Sequence, residues 1–166
     1  MSVTRPSGGD GIATAWGQGV SDFVNLGGIV LSSDVTTSSA SWADLTGLSF
    51  TATNGQHYNI EFFLTWECSS TSGGPAVGYD GPTGTCLLFT VYTGETASDS
   101  STINQADTED TGSGIATADS AGAKRTVRGY ATFSATATGT FTLRMKRNTA
   151  GTVTFHKGGA MRVVSS

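Results

Sequence analysis

The stretch Gln56-His-Tyr-Asn-Ile-Glu-Phe-Phe-Leu-Thr-Trp-Glu-Cys68 decides the fold class of this chain. Every second side chain from Tyr58 to Trp66 is large and apolar, and most of the side chains between them are polar. Because successive side chains of a strand point to opposite faces of a sheet, this alternation predicts a long strand with one buried face. Phe63 interrupts the polar set, which indicates that part of the second face is also covered.

Shorter apolar runs on both sides of this stretch predict the other strands. Turn-forming residues separate them, because Asn54-Gly55 precedes the long strand and Gly73-Gly74-Pro75 follows it. The predicted strands cover residues 28–33, 48–52, 85–93, 125–134, 139–147, 152–157 and 161–164. Such a series of short strands predicts a single jelly-roll-like antiparallel β-sandwich over residues 29–166.

The amino-acid composition also predicts an all-β protein. The 166 residues include 27 Thr, 20 Ser and 23 Gly, whereas charged residues make up only 13%. Threonine favours the pleated surface of a strand, and glycine and serine favour turns. Helix surfaces are built from Ala, Leu, Glu, Lys and Arg instead, so a helical bundle and a doubly wound α/β fold are both excluded.

The composition of residues 1–28 predicts an extended, glycine-rich N-terminal arm. They contain seven glycines and little apolar periodicity, so this segment cannot bury enough surface to order itself. Trp16 and Phe23 are its two aromatic residues, and together with Arg5 they are the candidate anchors to a partner, because large aromatics dominate interface energetics. The alternative is a tail that packs on its own domain.

Acidic and basic residues are separated along the chain. Residues 1–123 carry a net charge of −12, and residues 124–166 carry +8. In one interpretation, late basic strands lie beside early acidic strands, and the charges offset each other. In the other, a surface with separate positive and negative regions lets identical subunits bind one another, or lets a subunit bind the larger structure on which it sits. The overall charge of −4 argues against a dedicated nucleic-acid binder.

The sequence contains no recognisable catalytic or metal-binding pattern. His57 and His156 are its only histidines, and their spacing favours surface side chains over metal ligands. No GxSxG, HExxH or P-loop motif occurs. The polar stretch 94–122 is predicted as an extended loop or an edge excursion, and its cluster 107–110 as a solvated segment rather than a calcium site. We therefore predict a protein that is not an enzyme and that has no cofactor or metal.

The cellular compartment follows from the absence of targeting segments in this sequence. It has no run of 18 apolar residues, and its first ten residues lack the apolar core of a signal peptide. We expect synthesis in a cytoplasm, where Cys68 and Cys86 would remain free thiols. A disulfide between them is an alternative if their strands are antiparallel neighbours.

The aromatic residues beyond the arm could form a carbohydrate-binding platform or a core. Tyr58 and Trp66 fit the buried face of the long strand, and the others are scattered, so core positions are the favoured interpretation. The residues considered are Trp42, Tyr58, Trp66, Tyr79, Tyr92 and Tyr130.

From about Leu31 to Val164, the chain resembles a β-domain that recurs in virion proteins of tailed bacteriophages. In that family, a GLSF strand leads through a G-x-x-Y turn into a Y-x-F-x-F-x-L strand, and Asn54-Gly-Gln-His-Tyr58 fills the turn here. The resembling segments are residues 41–50, 58–64, 127–130, 139–144, 151–155 and 158–160. Members of such families are capsid decoration (cement) proteins, minor tail proteins and fibre tips, often trimeric and without catalytic residues.

The resemblance implies a head decoration protein on the capsid surface of the virion. Its implied partners are the major capsid protein and further copies of itself, with a homotrimer as the expected oligomer and no nucleic acid or membrane. It would be made in the host bacterial cytoplasm without a signal peptide. The alternative is a tail or fibre-tip module that binds a host-surface receptor or glycan through loop 73–85 or 94–122.

Overall fold

The computed structural model describes residues 28–93, 102–106 and 121–166. All regular elements in these ranges are β-strands, which confirms the predicted all-β class. The strands are β1 (Ile29–Val30), β2 (Val35–Thr37), β3 (Ala43–Ala52), β4 (His57–Cys68), β5 (Pro75–Asp80), β6 (Gly84–Thr93), β7 (Thr102–Ala106), β8 (Arg125–Ala135), β9 (Gly139–Arg147), β10 (Val153–Phe155) and β11 (Ala160–Ser165).

The strands form two antiparallel sheets. The large sheet has the order β1-β11-β4-β8-β6-β7, and the small sheet has the order β3-β9-β5. Strands β10 and β11 pair with successive parts of β4, and β2 and β1 pair with β10 and β11 in turn. Strands β10 and β11 therefore act as one interrupted strand beside β4, and β2 and β1 act as a second one beside it. Both are interrupted at the same position along the sheet.

The long strand β4 has the buried face that its sequence predicts. Tyr58, Ile60, Phe62, Leu64, Trp66 and Cys68 are all buried, and the side chains between them are exposed or half-buried. Rings from the two sheets meet above this face, where the centroids of Phe133 and Phe141 lie 5.1 Å apart. Full burial of one such side chain contributes about 1.5–3 kcal/mol, so this shared core holds the sheets together.

Two strand boundaries differ from the sequence prediction by three residues or more. Strand β3 begins at Ala43 rather than at residue 48, because a bulge lets the strand continue through Gly47 at a φ of 103°. The predicted strand 28–33 ends at Val30, and the chain bends before β2. In this bend the Asp34 carboxylate accepts a hydrogen bond from Lys157 N–H at 2.7 Å. The bond connects the bend to the turn between β10 and β11, where Lys157 lies.

Strand β5 was not predicted, because its sequence Pro75-Ala-Val-Gly-Tyr-Asp80 does not alternate. Alternation fails because both faces are covered. The inner face meets the core through Val77 and Tyr79, and the ring of Trp42 lies against Gly78 on the other face. A Cβ at Gly78 would lie 2.8 Å from the Trp42 ring, so the close approach requires glycine here.

Candidate functional site

The outer face of the large sheet carries a groove of about 450 Å³, which we call the outer groove. Three neighbouring strands, β4, β8 and β6, supply its walls, and their register places the lining side chains in adjacent rows. The lining residues are Glu61, Phe62, Phe63, Phe89, Val91, Arg128, Gly129 and Tyr130.

The outer groove exists because β6 is apolar on both faces. Leu88 and Tyr92 point into the core and are buried, whereas Leu87, Phe89 and Val91 lie half-buried on the outer face. The sequence signal is the run Cys86-Leu-Leu-Phe-Thr-Val-Tyr92, which is apolar at nearly every position. In the sequence, Phe63 predicts that the polar face of the long strand is partly covered, but no local pattern joins it to this run.

Charged and polar side chains frame the apolar part of the groove. The Arg128 guanidinium lies over the ring of Phe63, 5.2 Å from its centroid. Tyr130 is 42% exposed, and its hydroxyl donates a 2.9 Å hydrogen bond to Asn59 Oδ1. Such a surface, with half-exposed rings beside an arginine, has the composition that is enriched at protein interfaces.

A second, smaller depression adjoins the outer groove beyond Tyr130. It has a volume of about 240 Å³ and is lined by Asn59, Glu61, Tyr130, Arg162 and Val164. Val164 is 43% exposed, and it and Tyr130 are exposed large apolar side chains beside this depression. The two depressions form one continuous surface along β11, β4 and β8.

Two pairs of opposite charges face each other across neighbouring strands, which is the arrangement that the first interpretation of the charge separation expects. Arg144 Nε lies 3.0 Å from Asp44 Oδ1, and Arg162 pairs in register with Glu61. The described residues hold eight bases and five acids, a charge of +3, whereas the remaining residues hold one base and eight acids, a charge of −7. The sandwich is therefore weakly basic, and most of the acidity lies in the segments outside the described ranges.

The two histidines lie at separate places, with His57 exposed, as predicted, and His156 half-buried between neighbouring side chains. His57 Nδ1 is 2.7 Å from Ser134 Oγ. His156 lies between two carboxylates, with Nδ1 3.4 Å from Asp34 Oδ2 and Nε2 3.3 Å from Glu67 Oε2. The hydrogen bond from Lys157 N–H holds the pKa of Asp34 below its usual value. In the described ranges, no three His, Cys, Asp or Glu side chains are arranged to hold a metal ion.

The cysteines lie far apart and are both free and buried. Strand β8 separates β4 from β6, so the two strands are not the neighbours that a disulfide would require. In register, Cys86 stands beside Phe133, which in turn pairs with Tyr58. Tyr58 and Cys68 are ten residues apart on β4, or about 33 Å along the strand.

Of the six aromatic residues considered for a carbohydrate platform, four lie in the core and two do not. Tyr58, Trp66, Tyr79 and Tyr92 are buried, as the core interpretation predicted. Trp42 is half-buried on the outer face of the small sheet, beneath the Lys146 ammonium at 4.6 Å from the ring centroid. Tyr130 is the exposed member of the set.

The candidate arm anchors Arg5, Trp16 and Phe23 lie outside the described residues, as does most of the acidic stretch 95–119. Within that stretch, β7 pairs with β6 and forms an edge strand of the large sheet, which is the second of the two predicted alternatives. Loop 73–85 contains β5. The described part of the chain contains no helix of the length and hydrophobicity needed to cross a membrane.

Comparison of the chain with protein-family models, with curated proteins and with solved structures gives no match.

Proposed function

We propose that this protein is a structural component of a tailed-phage virion, a head decoration protein that binds the outer surface of the capsid. The observation that carries the proposal is the outer groove. It offers half-exposed apolar side chains framed by Arg128 and Glu61 on a rigid sheet, which suits docking to protein. Strand β1, which directly follows the proposed arm in sequence, pairs with β11 in the same sheet, so the arm would start from the sheet that carries the docking face.

The strand order supports a jelly-roll-like fold within this proposal. From β2 to β5, successive strands alternate between the large and the small sheet. Strands from the two ends of the chain then pair, since β10 and β11 lie between β4 and the first two strands. This pairing of early with late strands is characteristic of jelly rolls. The departure is β6, which pairs with β8 rather than with β5.

The proposed mechanism is thermodynamic. A protein that binds only the assembled shell stabilises the shell by mass action. A homotrimer would attach at several points, and each attachment after the first would be intramolecular, which multiplies the effect. The arm would reach the major capsid protein or a neighbouring subunit, with Trp16 and Phe23 as anchors.

Co-sedimentation with matched capsids that lack the protein tests this proposal. The full chain should bind saturably, and a variant without residues 2–26 should remain in the supernatant, because the arm provides the reach. A Trp16→Ala/Phe23→Ala variant should bind more weakly than the matched control Ile12→Ala/Val20→Ala. Equal binding by the full and truncated chains would contradict the role of the arm.

A second candidate is a tail or fibre-tip module that binds a host-surface glycan. The smaller depression favours it, because Asn59, Glu61 and Arg162 surround the exposed ring of Tyr130. Polar side chains beside an exposed ring can hold a sugar by hydrogen bonds and stacking. Binding to host cells that is lost in Tyr130→Ala, without binding to capsids, would favour this function over the first.

A further inference from the structure

We infer that Asn54 is a modification site, at which the side-chain amide is lost by deamidation through the backbone nitrogen of Gly55, and that hydrogen bonds between two turns keep this reaction slow in the folded protein. The reaction needs no enzyme and no co-reactant besides water. The inference concerns the chemistry of the isolated chain, so it does not depend on the proposed virion role.

The residue types in the turn between β3 and β4 suit this reaction. Asn54-Gly55 is the one Asn-Gly dipeptide in the sequence. The backbone nitrogen that follows an asparagine can attack its side-chain carbonyl carbon, and glycine leaves that nitrogen unhindered because it has no Cβ. Asparagine is also one of the thermolabile residue types. Both residues are exposed, and a Cβ at Gly55 would meet no atom within 4 Å, so water reaches the turn.

The reaction balances with water as its co-reactant. The Gly55 nitrogen loses its proton and forms a bond to Cγ of Asn54, while the bond from Cγ to Nδ2 breaks and ammonia leaves with that proton. Water then opens the cyclic imide at one of its two carbonyl carbons. Opening at Cγ gives aspartate, and opening at the backbone carbonyl gives isoaspartate, whose main chain is longer by one carbon. Either product places a new carboxylate in the turn.

The folded protein engages the attacking nitrogen in a hydrogen bond. Gly55 N–H donates to Ala135 O at 2.8 Å, and Ala135 N–H donates to Gln56 O at 3.0 Å. Asn54 N–H donates to Thr138 Oγ1 at 3.0 Å. These three bonds join the turn between β3 and β4 to the turn between β8 and β9. Because the Gly55 nitrogen must release its bond before it can approach Cγ, the reaction requires local opening of the turn.

Two threonines in the turn between β8 and β9 provide a matched pair of variants. Thr138→Val removes the hydroxyl that accepts Asn54 N–H, so the turn that holds Asn54 should open more often. Thr136→Val removes a hydroxyl that donates to Thr83 O instead. The natural chain and both variants are incubated at neutral pH, folded and in denaturing urea. Peptide mass spectrometry then follows the deamidated fraction at Asn54.

The three chains should deamidate at the same rate in urea, where no turn is held. The folded natural chain should react about tenfold more slowly than in urea, or slower still, and a tenfold ratio corresponds to an opening free energy of about 1.4 kcal/mol. Folded Thr138→Val should react about two- to tenfold faster than the folded natural chain, as expected for the loss of one hydrogen bond. Folded Thr136→Val should match the natural chain.

Each part of the inference has its own contrary result. An Asn54 that stays intact in urea would overturn the modification site. Equal rates for the natural chain in the folded state and in urea would overturn the protection by the fold, and this comparison needs no variant. Equal rates for folded Thr138→Val and folded Thr136→Val would overturn the role of the bond between the two turns.

Discussion

At the scale of single residues, the missing side chain of Gly129 makes room for a core ring beneath the outer groove. Phe62 points into the core, and its ring lies over Gly129 of the neighbouring strand, where a Cβ would overlap it. Phe63 and Arg128, the next pair along the same two strands, lie on the outer face and line the groove. The missing side chain of Gly129 therefore leaves the space on the core face that the Phe62 ring fills.

Gly129→Ala should lower the free energy of unfolding by about 1–3 kcal/mol, the usual cost of overpacking a core. Denaturant unfolding would measure the loss. The same substitution in a Phe62→Leu background should cost less, because the smaller side chain leaves room for the new methyl group. An equal cost in both backgrounds would show that the Phe62 ring is not what excludes a side chain at this position.

A second residue-scale feature is the Asp34 carboxylate, which fastens the bend between β1 and β2. Its pKa is lowered because it accepts the Lys157 N–H, so the folded state binds this proton less readily than the unfolded state. The stabilisation is therefore present above about pH 4, the ordinary range for aspartate, and it is lost as the pH falls through the lowered value.

Asp34→Asn keeps the acceptor oxygen and removes the charge, so it should be less stable than the natural chain at pH 6. The difference should shrink as the pH falls below about 4, because the unfolded natural chain then binds a proton that the folded carboxyl binds only at a lower pH. Thermal unfolding at a series of pH values measures this difference. A stability gap that stays constant down to about pH 2.5, well below the ordinary aspartate range, would refute the assigned role of the charge.

At the scale of elements, the sequence predicts a strand best where one face is buried and the other is exposed to solvent. Strand β4 alternates and was predicted nearly to its ends. Strand β5 was missed, because Trp42 covers the face that would otherwise be polar. The start of β3 was missed, because the bulge at Gly47 interrupts the alternation within one strand.

The candidate site was less predictable than the strands, because it depends on which strands are neighbours. Phe63 and the run 86–92 are both visible in the sequence, but they are more than 20 residues apart. Only the placement of β8 between β4 and β6 brings them to one groove. Long-range strand order is not encoded in local alternation, so no local pattern could have joined them.

The junction between β5 and β6 gives an element-scale prediction. Val77 N–H of the small sheet donates a buried 3.1 Å hydrogen bond to Tyr92 Oη of the large sheet. Burial raises the pKa of this hydroxyl, so the group stays neutral. Tyr92→Phe leaves the Val77 N–H without this acceptor and should cost about 1–3 kcal/mol.

The matched control is Tyr130→Phe, which removes a hydroxyl that bonds to Asn59 at an exposed position. That change should alter the free energy of unfolding by less than about 0.5 kcal/mol. Urea unfolding of the two variants gives the comparison. Similar losses in both would mean that the bond between the sheets contributes no more than a surface contact.

At the scale of the whole molecule, the charge distribution separates a weakly basic sandwich from acidic segments. The described residues carry +3 and the rest of the chain carries −7. In the proposed decoration role, this separation lets neighbouring copies meet with opposite charges, and the shell gains stability from each contact.

The stability of the capsid itself tests the central claim most directly. Matched capsids that lack the protein would be heated with increasing concentrations of the purified full chain, and shell disruption would be followed by light scattering or genome release. The account predicts a disruption temperature that rises with concentration until the sites are filled, as for any ligand of the folded shell alone. An unchanged disruption temperature at concentrations that saturate binding to host cells would contradict the decoration role and would assign the protein to host recognition.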